Sequence, residues 1–274
     1  MSDSRVLITV KTYPTLSRKY GETVCTAGIR EDGSWVRIYP VPFRRLGEAE
    51  QYSKFDWIDC KLIKSRSDHR PETRHAADLK ELQRVGHMGT DSNWRERRKL
   101  VLETAKVYTQ IQPLIDEAKA NKTSLAVFKP AKILDLICEQ EEREWDAAKV
   151  AEMRNQTQQS ELFAEEAWRQ TFKIIPKMPY SFSYRFEDSD GRQSTLQILD
   201  WEIGALYWNC VRQCKGDESA AIDKVRAKYL TQFLQTDLHF FLGTTQQYHQ
   251  VAPNPWVIIG VFPIPYEKQG DLPL

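Results

Sequence analysis

Asp32-Gly33 is the tightest local constraint on how this chain folds. The pair separates Thr23-Val-Cys-Thr-Ala-Gly-Ile29 from Ser34-Trp-Val-Arg-Ile-Tyr39. Asp-Gly between two runs of β-formers specifies a hairpin, because the turn needs positive φ where glycine is at ease. In the second arm the period of two puts Trp35, Arg37 and Tyr39 on one face and Val36 and Ile38 on the other. Pro40 and Pro42 close the arm. An earlier run, Arg5-Val-Leu-Ile-Thr-Val-Lys-Thr-Tyr-Pro14, and a later one, Phe55-Asp-Trp-Ile-Asp-Cys-Lys-Leu-Ile-Lys64, read as further strands. So many short strands within residues 1–75 predict a small barrel or curled sheet rather than an open parallel one.

The pattern changes twice. Over residues 76–169 helical spacing dominates: Leu100, Tyr108, Ile111, Leu114 and Ile115 fall near one helix face, with Pro113 as a kink. A second helix is expected over residues 131–168, with a break at Thr157-Gln-Gln-Ser160. It carries an acidic block, seven acids against two bases in residues 135–152, read as a solvated face. Residues 170–274 return to β. Tyr180-Ser-Phe-Ser-Tyr-Arg-Phe186 and Ser194-Thr-Leu-Gln-Ile-Leu199 flank the turn Ser189-Asp-Gly191, helices are expected at 202–214 and 219–235, and two strands follow. Those strands, Asp237-Leu-His-Phe-Phe-Leu-Gly243 and Trp256-Val-Ile-Ile-Gly-Val-Phe262, are almost wholly apolar, as strands buried on both faces are. The expectation is an α+β fold in three segments: 1–75 a barrel-like unit, 76–169 helical, 170–274 a β-rich unit with helices.

Composition narrows function more by exclusion than by assignment. Hydrophobic residues make up 41% of the chain and the net charge is +1. That is globular and unsuited to coating nucleic acid by charge alone. The charge is uneven, however: residues 1–75 hold 14 basic and 10 acidic side chains, a net +4. No apolar run approaches the roughly 18–20 residues of a membrane helix. The apolar run at residues 6–10 is too short for a signal peptide, and five scattered cysteines do not form a disulfide framework, so a cytoplasmic location is expected.

The densest chemistry is the interleaving of basic and aromatic residues near the N-terminus. Lys11, Arg18 and Lys19 precede the hairpin; Trp35, Arg37, Tyr39, Arg44 and Arg45 occupy its second arm and the turn beyond. Rings that stack on bases beside guanidinium groups that meet phosphate are what single-strand binding on small barrels requires. Alternatively, Trp35 and Tyr39 belong to the core with Arg37 at its rim. Arg70, in Ser65-Arg-Ser-Asp-His-Arg-Pro-Glu-Thr-Arg74, is a candidate anion clamp. The expected partner is single-stranded nucleic acid or bent duplex, with a protein partner as the alternative and no membrane.

No catalytic set is complete. Asp56, Asp59 and Lys61 faintly match a metal-dependent nuclease, but nothing supplies the converging acid. Cys210 and Cys214 lack a second ligand pair, and His239 reads as a packed strand residue. Leu242-Gly-Thr-Thr245 lacks the lysine and glycine spacing of a phosphate loop. No cofactor, metal or catalytic residue is expected.

Several stretches resemble the bacterial dual OB-containing domain family: Lys11-Thr-Tyr-Pro14, Val24-Cys-Thr-Ala-Gly28, Trp35-Val-Arg-Ile-Tyr-Pro-Val-Pro-Phe-Arg44, Phe55-Asp-Trp-Ile58, Arg70-Pro-Glu72, Phe128-Lys-Pro130, Phe240-Phe-Leu-Gly243 and Trp256-Val-Ile-Ile-Gly260. The resemblance implies two small OB-like β-barrel units and a nucleic-acid-linked role in bacterial conflict or phage defence. It implies no catalytic residues, and a plain pair of barrels does not explain the acidic helical middle.

Overall fold

The computed structural model describes residues 2–17, 21–48, 51–151 and 174–266. Its first half is a closed five-stranded barrel. The strands are β1 (Ser2–Lys11), β3 (Gly21–Ile29), β4 (Trp35–Val41), β5 (Asp56–Lys64) and β6 (Thr73–Ala76), in the order β1-β3-β4-β6-β5, with β5 returning to β1. All pairs are antiparallel except β4 with β6, where Arg37 faces Thr73 and Ile38 faces Arg74. Two short strands extend the sheet, β2 (Thr15–Ser17) on β3 and β7 (Gln83–His87) on β5. The Asp32-Gly33 hairpin forms as expected: Gly33 has φ +81°, and Arg30 and Ser34 close the turn.

The second half is built on two connected sheets. Strand β9 (Leu125–Phe128) runs through Lys129-Pro130-Ala131 into β10 (Lys132–Gln140), which pairs with β11 (Tyr180–Glu187), and β11 with β12 (Gln193–Gln197). A parallel bridge, Ile198 to Ile258, joins the end of β12 to β14 (Trp256–Ile264). Strand β14 pairs with β13 (Asp237–Thr244), and β13 with β9. The path β10-β11-β12-β14-β13-β9 therefore begins and ends on consecutive strands. A two-residue strand, β8 (Val107–Tyr108), lies parallel to β9.

Helix α1 (Asp91–Arg98) and a π-helical turn (Lys99–Thr104) end the first half, and α2 (Ile111–Lys119) opens the second. Helices α3 (Trp201–Gln213) and α4 (Glu218–Arg226) connect β12 to β13. Two expectations need correction. The helix foreseen over residues 131–168 begins as strand β10, and among the described residues of that range helical backbone is found at 147–151; residues 152–168, with Thr157-Gln-Gln-Ser160, lie outside the described residues. The Leu100–Ile115 apolar spacing spans three elements, and Pro113 sits in the first turn of α2, where its missing N–H is harmless, instead of kinking a longer helix.

Three apolar clusters explain why the sequence alternates where it does and not elsewhere. Val6, Ile8, Val36, Ile38 and Ile58 fill the N-terminal barrel. Phe182, Tyr184, Phe186, Phe240, Leu242 and Ile258 fill the second unit, roofed by Leu114 and Ile115 of α2 and Tyr207 of α3. The third cluster lies between the units, where Leu7, Val10, Ala27 and Ile29 meet Leu125, Val127, Phe241, Ile259 and Phe262. A register shift between Ile8 and Val10 brings Val10 onto the face of Leu7, and a second, between Phe241 and Leu242, occurs in β13. Strands β1, β13 and β14 thus bury both faces, which accounts for their unbroken apolar runs.

Candidate ligand-binding cleft

A cleft of about 640 Å³ opens where the two units meet. Chain geometry at the end of β1 starts it. Past Lys11 the backbone leaves the barrel and bonds to the second unit: Thr12 bridges Asp200, and the Tyr13 N–H donates to the Leu199 carbonyl at 2.8 Å. Tyr13 then packs closely on α3, because Gly204 has no side chain there; a Cβ at that position would stand 2.3 Å from the ring. Its hydroxyl donates to the Pro176 carbonyl at 2.8 Å and accepts from Trp208 Nε1 at 2.9 Å.

The buried lining contains two arginines. Arg37 is 1% exposed. Its Nη1 donates to Ser124 Oγ at 2.6 Å and Thr73 Oγ1 at 3.3 Å, and its Nη2 to the carbonyls of Ser124 at 2.9 Å and Thr244 at 3.4 Å. Ser124 Oγ in turn donates to Glu72 at 2.5 Å, so a carboxylate answers the guanidinium through one hydroxyl. Arg70 also donates to the Thr244 carbonyl and is clamped by Asp68 through Nε at 2.9 Å and Nη2 at 2.5 Å. Burial, and then the neighbouring Arg70, push Arg37 below its ordinary pKa. Burial opposes ionisation of Asp68, but the hydrogen bonds from Arg70 hold it below the usual carboxylate range. Behind them, buried His249 is pushed down to about 4 by burial and then by Arg70 and Arg37. Its ring nitrogens sit 2.9 Å from Thr244 Oγ1 and 2.9 Å from Asn121 Oδ1. Because Oδ1 only accepts, Nε2 carries the proton and Nδ1 accepts from the threonine.

The expected basic-aromatic face therefore divides. Arg37, Tyr39 and Arg70 line the cleft. Arg37 points into the interior, a correction to a solvent-facing phosphate contact: its strand face is the one that packs on the second unit. Trp35 meets Phe241 edge-on at 5.8 Å in the same interface. Lys11 donates to the Tyr52 carbonyl at 3.2 Å and rests over the Phe43 ring at 4.1 Å. Arg44 pairs with buried Glu22 at 2.7 Å. The Arg70 loop is not an open anion clamp, since Asp68 already fills the guanidinium fork. Arg18 and Lys19, and the side chain of Arg45, lie outside the described residues.

The nuclease-like acids do not converge. Asp56 is buried against His87 Nδ1 at 2.7 Å, Asp59 takes both arms of Arg5 at 2.8 and 2.9 Å, and Lys61 pairs with Glu81 at 3.3 Å. Among the described residues, no three His, Cys, Asp or Glu side chains gather as a metal site, and no helix is long and apolar enough to cross a membrane.

Sequence reasoning missed the partners that the second unit brings to the cleft: Trp145, Lys177, Tyr180, Phe182 and Thr245. Tyr180 and Phe182 were visible as strand residues, but only the tertiary fold brings them into one cleft with Tyr39.

Two family models match the chain, both described as domains of unknown function: DUF8758 over residues 2–103 and DUF8757 over residues 107–272. Their boundary falls between the π-helical turn and β8. No curated protein matches the sequence. The DUF8757 match spans more than half of the chain, which accordingly belongs to that family, with a DUF8758 domain preceding it.

Proposed function

We propose that this protein is a non-catalytic nucleic-acid-binding module that holds a single strand in the cleft between two OB-like barrels. The strand order supports the barrel assignment. In the first unit the order is one-two-three-five-four, closing on one, with strands three and five parallel. The second unit repeats that order if β9 and β10 count as one bent strand, with β12 and β14 as the parallel pair and α3 and α4 between strands three and four. A lone barrel of this kind takes its ligand on strands two and three and the adjoining loops. Here most of that face on the first unit is interior, leaving its edge at Tyr13 and Tyr39. The resemblance to the dual OB-containing family supports the same reading and extends it to bacterial conflict systems.

The observation that carries the proposal is the lining itself. Tyr39 from the first unit and Tyr180 and Trp145 from the second share one groove with Lys177, whose ammonium serves phosphate while the rings serve bases. Fluorescence anisotropy with a labelled single-stranded oligonucleotide tests it. Binding should weaken with salt, Lys177→Ala should flatten the log–log salt slope by about 0.7 for one lost phosphate contact, and Tyr39→Ala should cost about 1–3 kcal/mol. A folded protein that binds neither DNA nor RNA at low salt overturns it. That result would leave the reading of a protein-interaction adaptor, which the exposed Tyr248 and Val251, 51% and 75% accessible, favour.

A further inference from the structure

We infer that the buried end of the cleft is a pocket for one unpaired nucleobase, held edge-on by Arg37 and Thr245; the inference rests on the nucleic-acid reading above and adds the part of the ligand that enters deepest. Folded chains rarely leave buried polar atoms without partners, so the exceptions point to something that completes them. Among the described residues six buried side-chain polar atoms lack a hydrogen-bond partner, and two of them, Arg37 Nε and Thr245 Oγ1, belong to residues that line this one cleft. Nε only donates; the hydroxyl donates or accepts. A nucleobase edge presents a ring nitrogen or carbonyl acceptor beside a second polar group, which suits that pair.

Charge decides between a base and a phosphate. The Arg37 guanidinium is already answered by Glu72 through Ser124, and Arg70 by Asp68. A second anion would therefore enter a site whose positive charge is spent, at the full cost of leaving water, whereas a neutral acceptor completes Nε without adding charge. Phosphate suits Lys177, whose side chain is 24% accessible and whose pairing with Glu142 is a looser 3.6 Å contact to a carboxylate that is itself 90% exposed. Apolar side chains, among them Phe182, Val257 and Ile259, supply the flat contact a ring needs. The whole cleft, about 640 Å³, is the size of a small-molecule site, so its buried end has room for one base while the rest of the strand runs past its mouth.

The test is competition against a labelled single-stranded oligonucleotide by uridine, adenosine and inorganic phosphate, with wild type and Thr245→Val, alongside thermal melting. We expect the uncharged nucleosides to compete and phosphate not to. Thr245→Val should weaken the nucleosides about three- to tenfold, the worth of one hydrogen bond, and leave the melting temperature equal or higher, because the lost hydroxyl had no partner. If the oligonucleotide binds with salt dependence but nucleosides do not compete and Thr245→Val is silent, the base pocket is wrong while the nucleic-acid reading stands. If the oligonucleotide does not bind but the nucleosides raise the melting temperature of wild type more than that of Thr245→Val, the pocket stands and the polymer reading falls. If nothing binds, both fall.

Discussion

Arg37 illustrates how far a residue's neighbourhood decides its role. On its strand it is a basic residue flanked by Trp35 and Tyr39; in the molecule it ties β4 to Ser124 and Thr244 of the second unit. His249 behind it is the titratable counterpart. The unfolded imidazole takes a proton near its ordinary pKa of 6.5, while the folded one resists until about 4. Its contribution to stability is therefore complete above pH 6.5 and lost progressively as pH falls towards 4. His249→Asn should make the melting temperature fall less steeply across that window, whatever it does to stability at neutral pH; an unchanged slope would assign the acid sensitivity to other groups. None of this was legible from sequence: Thr244 lies 207 positions from Arg37, and only the closed fold reveals that two guanidinium groups share its carbonyl.

At the scale of elements, what the sequence disclosed was what local chemistry decides. The turns at Asp32-Gly33 and Ser189-Asp-Gly191 formed because positive φ at Gly33 and Gly191 leaves few alternatives. Strand β10 looks helical in sequence because Ile133, Leu136 and Ile137 repeat at helical spacing, and a register shift between Ile133 and Asp135 interrupts strand alternation. Its pairing with β11 joins residues 40 to 55 positions apart, beyond any local signal. Helix α3 offers a test of packing against propensity. Alanine normally stabilises a helix interior by about 1 kcal/mol over glycine. Gly204→Ala should do the reverse, since its Cβ meets the Tyr13 ring at 2.3 Å and overpacking costs about 1–3 kcal/mol. A lowered urea midpoint is the expected result, and a raised one would show that Tyr13 moves freely.

On the scale of the whole molecule, the two halves share more than a boundary. Beside the apolar seam and the arginines, Lys54 of the first unit is buried against Asp200 at 3.0 Å and Glu202 at 3.0 Å at the start of α3. Burial disfavours charge on Lys54, but the two carboxylates more than offset it and raise its pKa. Residues 1–103 produced alone should expose Leu7, Val10, Ala27 and Ile29, bind a hydrophobic dye and self-associate, whereas the full chain should unfold in one transition. A monomeric, cooperatively folding fragment would show that the seam is dispensable.

The seam also bears on inheritance. A gene that kept residues 2–103 and lost 107–272 would inherit a barrel with a greasy flank, and selection would first have to recolour Leu7, Val10, Ala27 and Ile29 with polar side chains. The seam thus favours joint inheritance of the two domains, like halves of a lock whose wards were cut against each other.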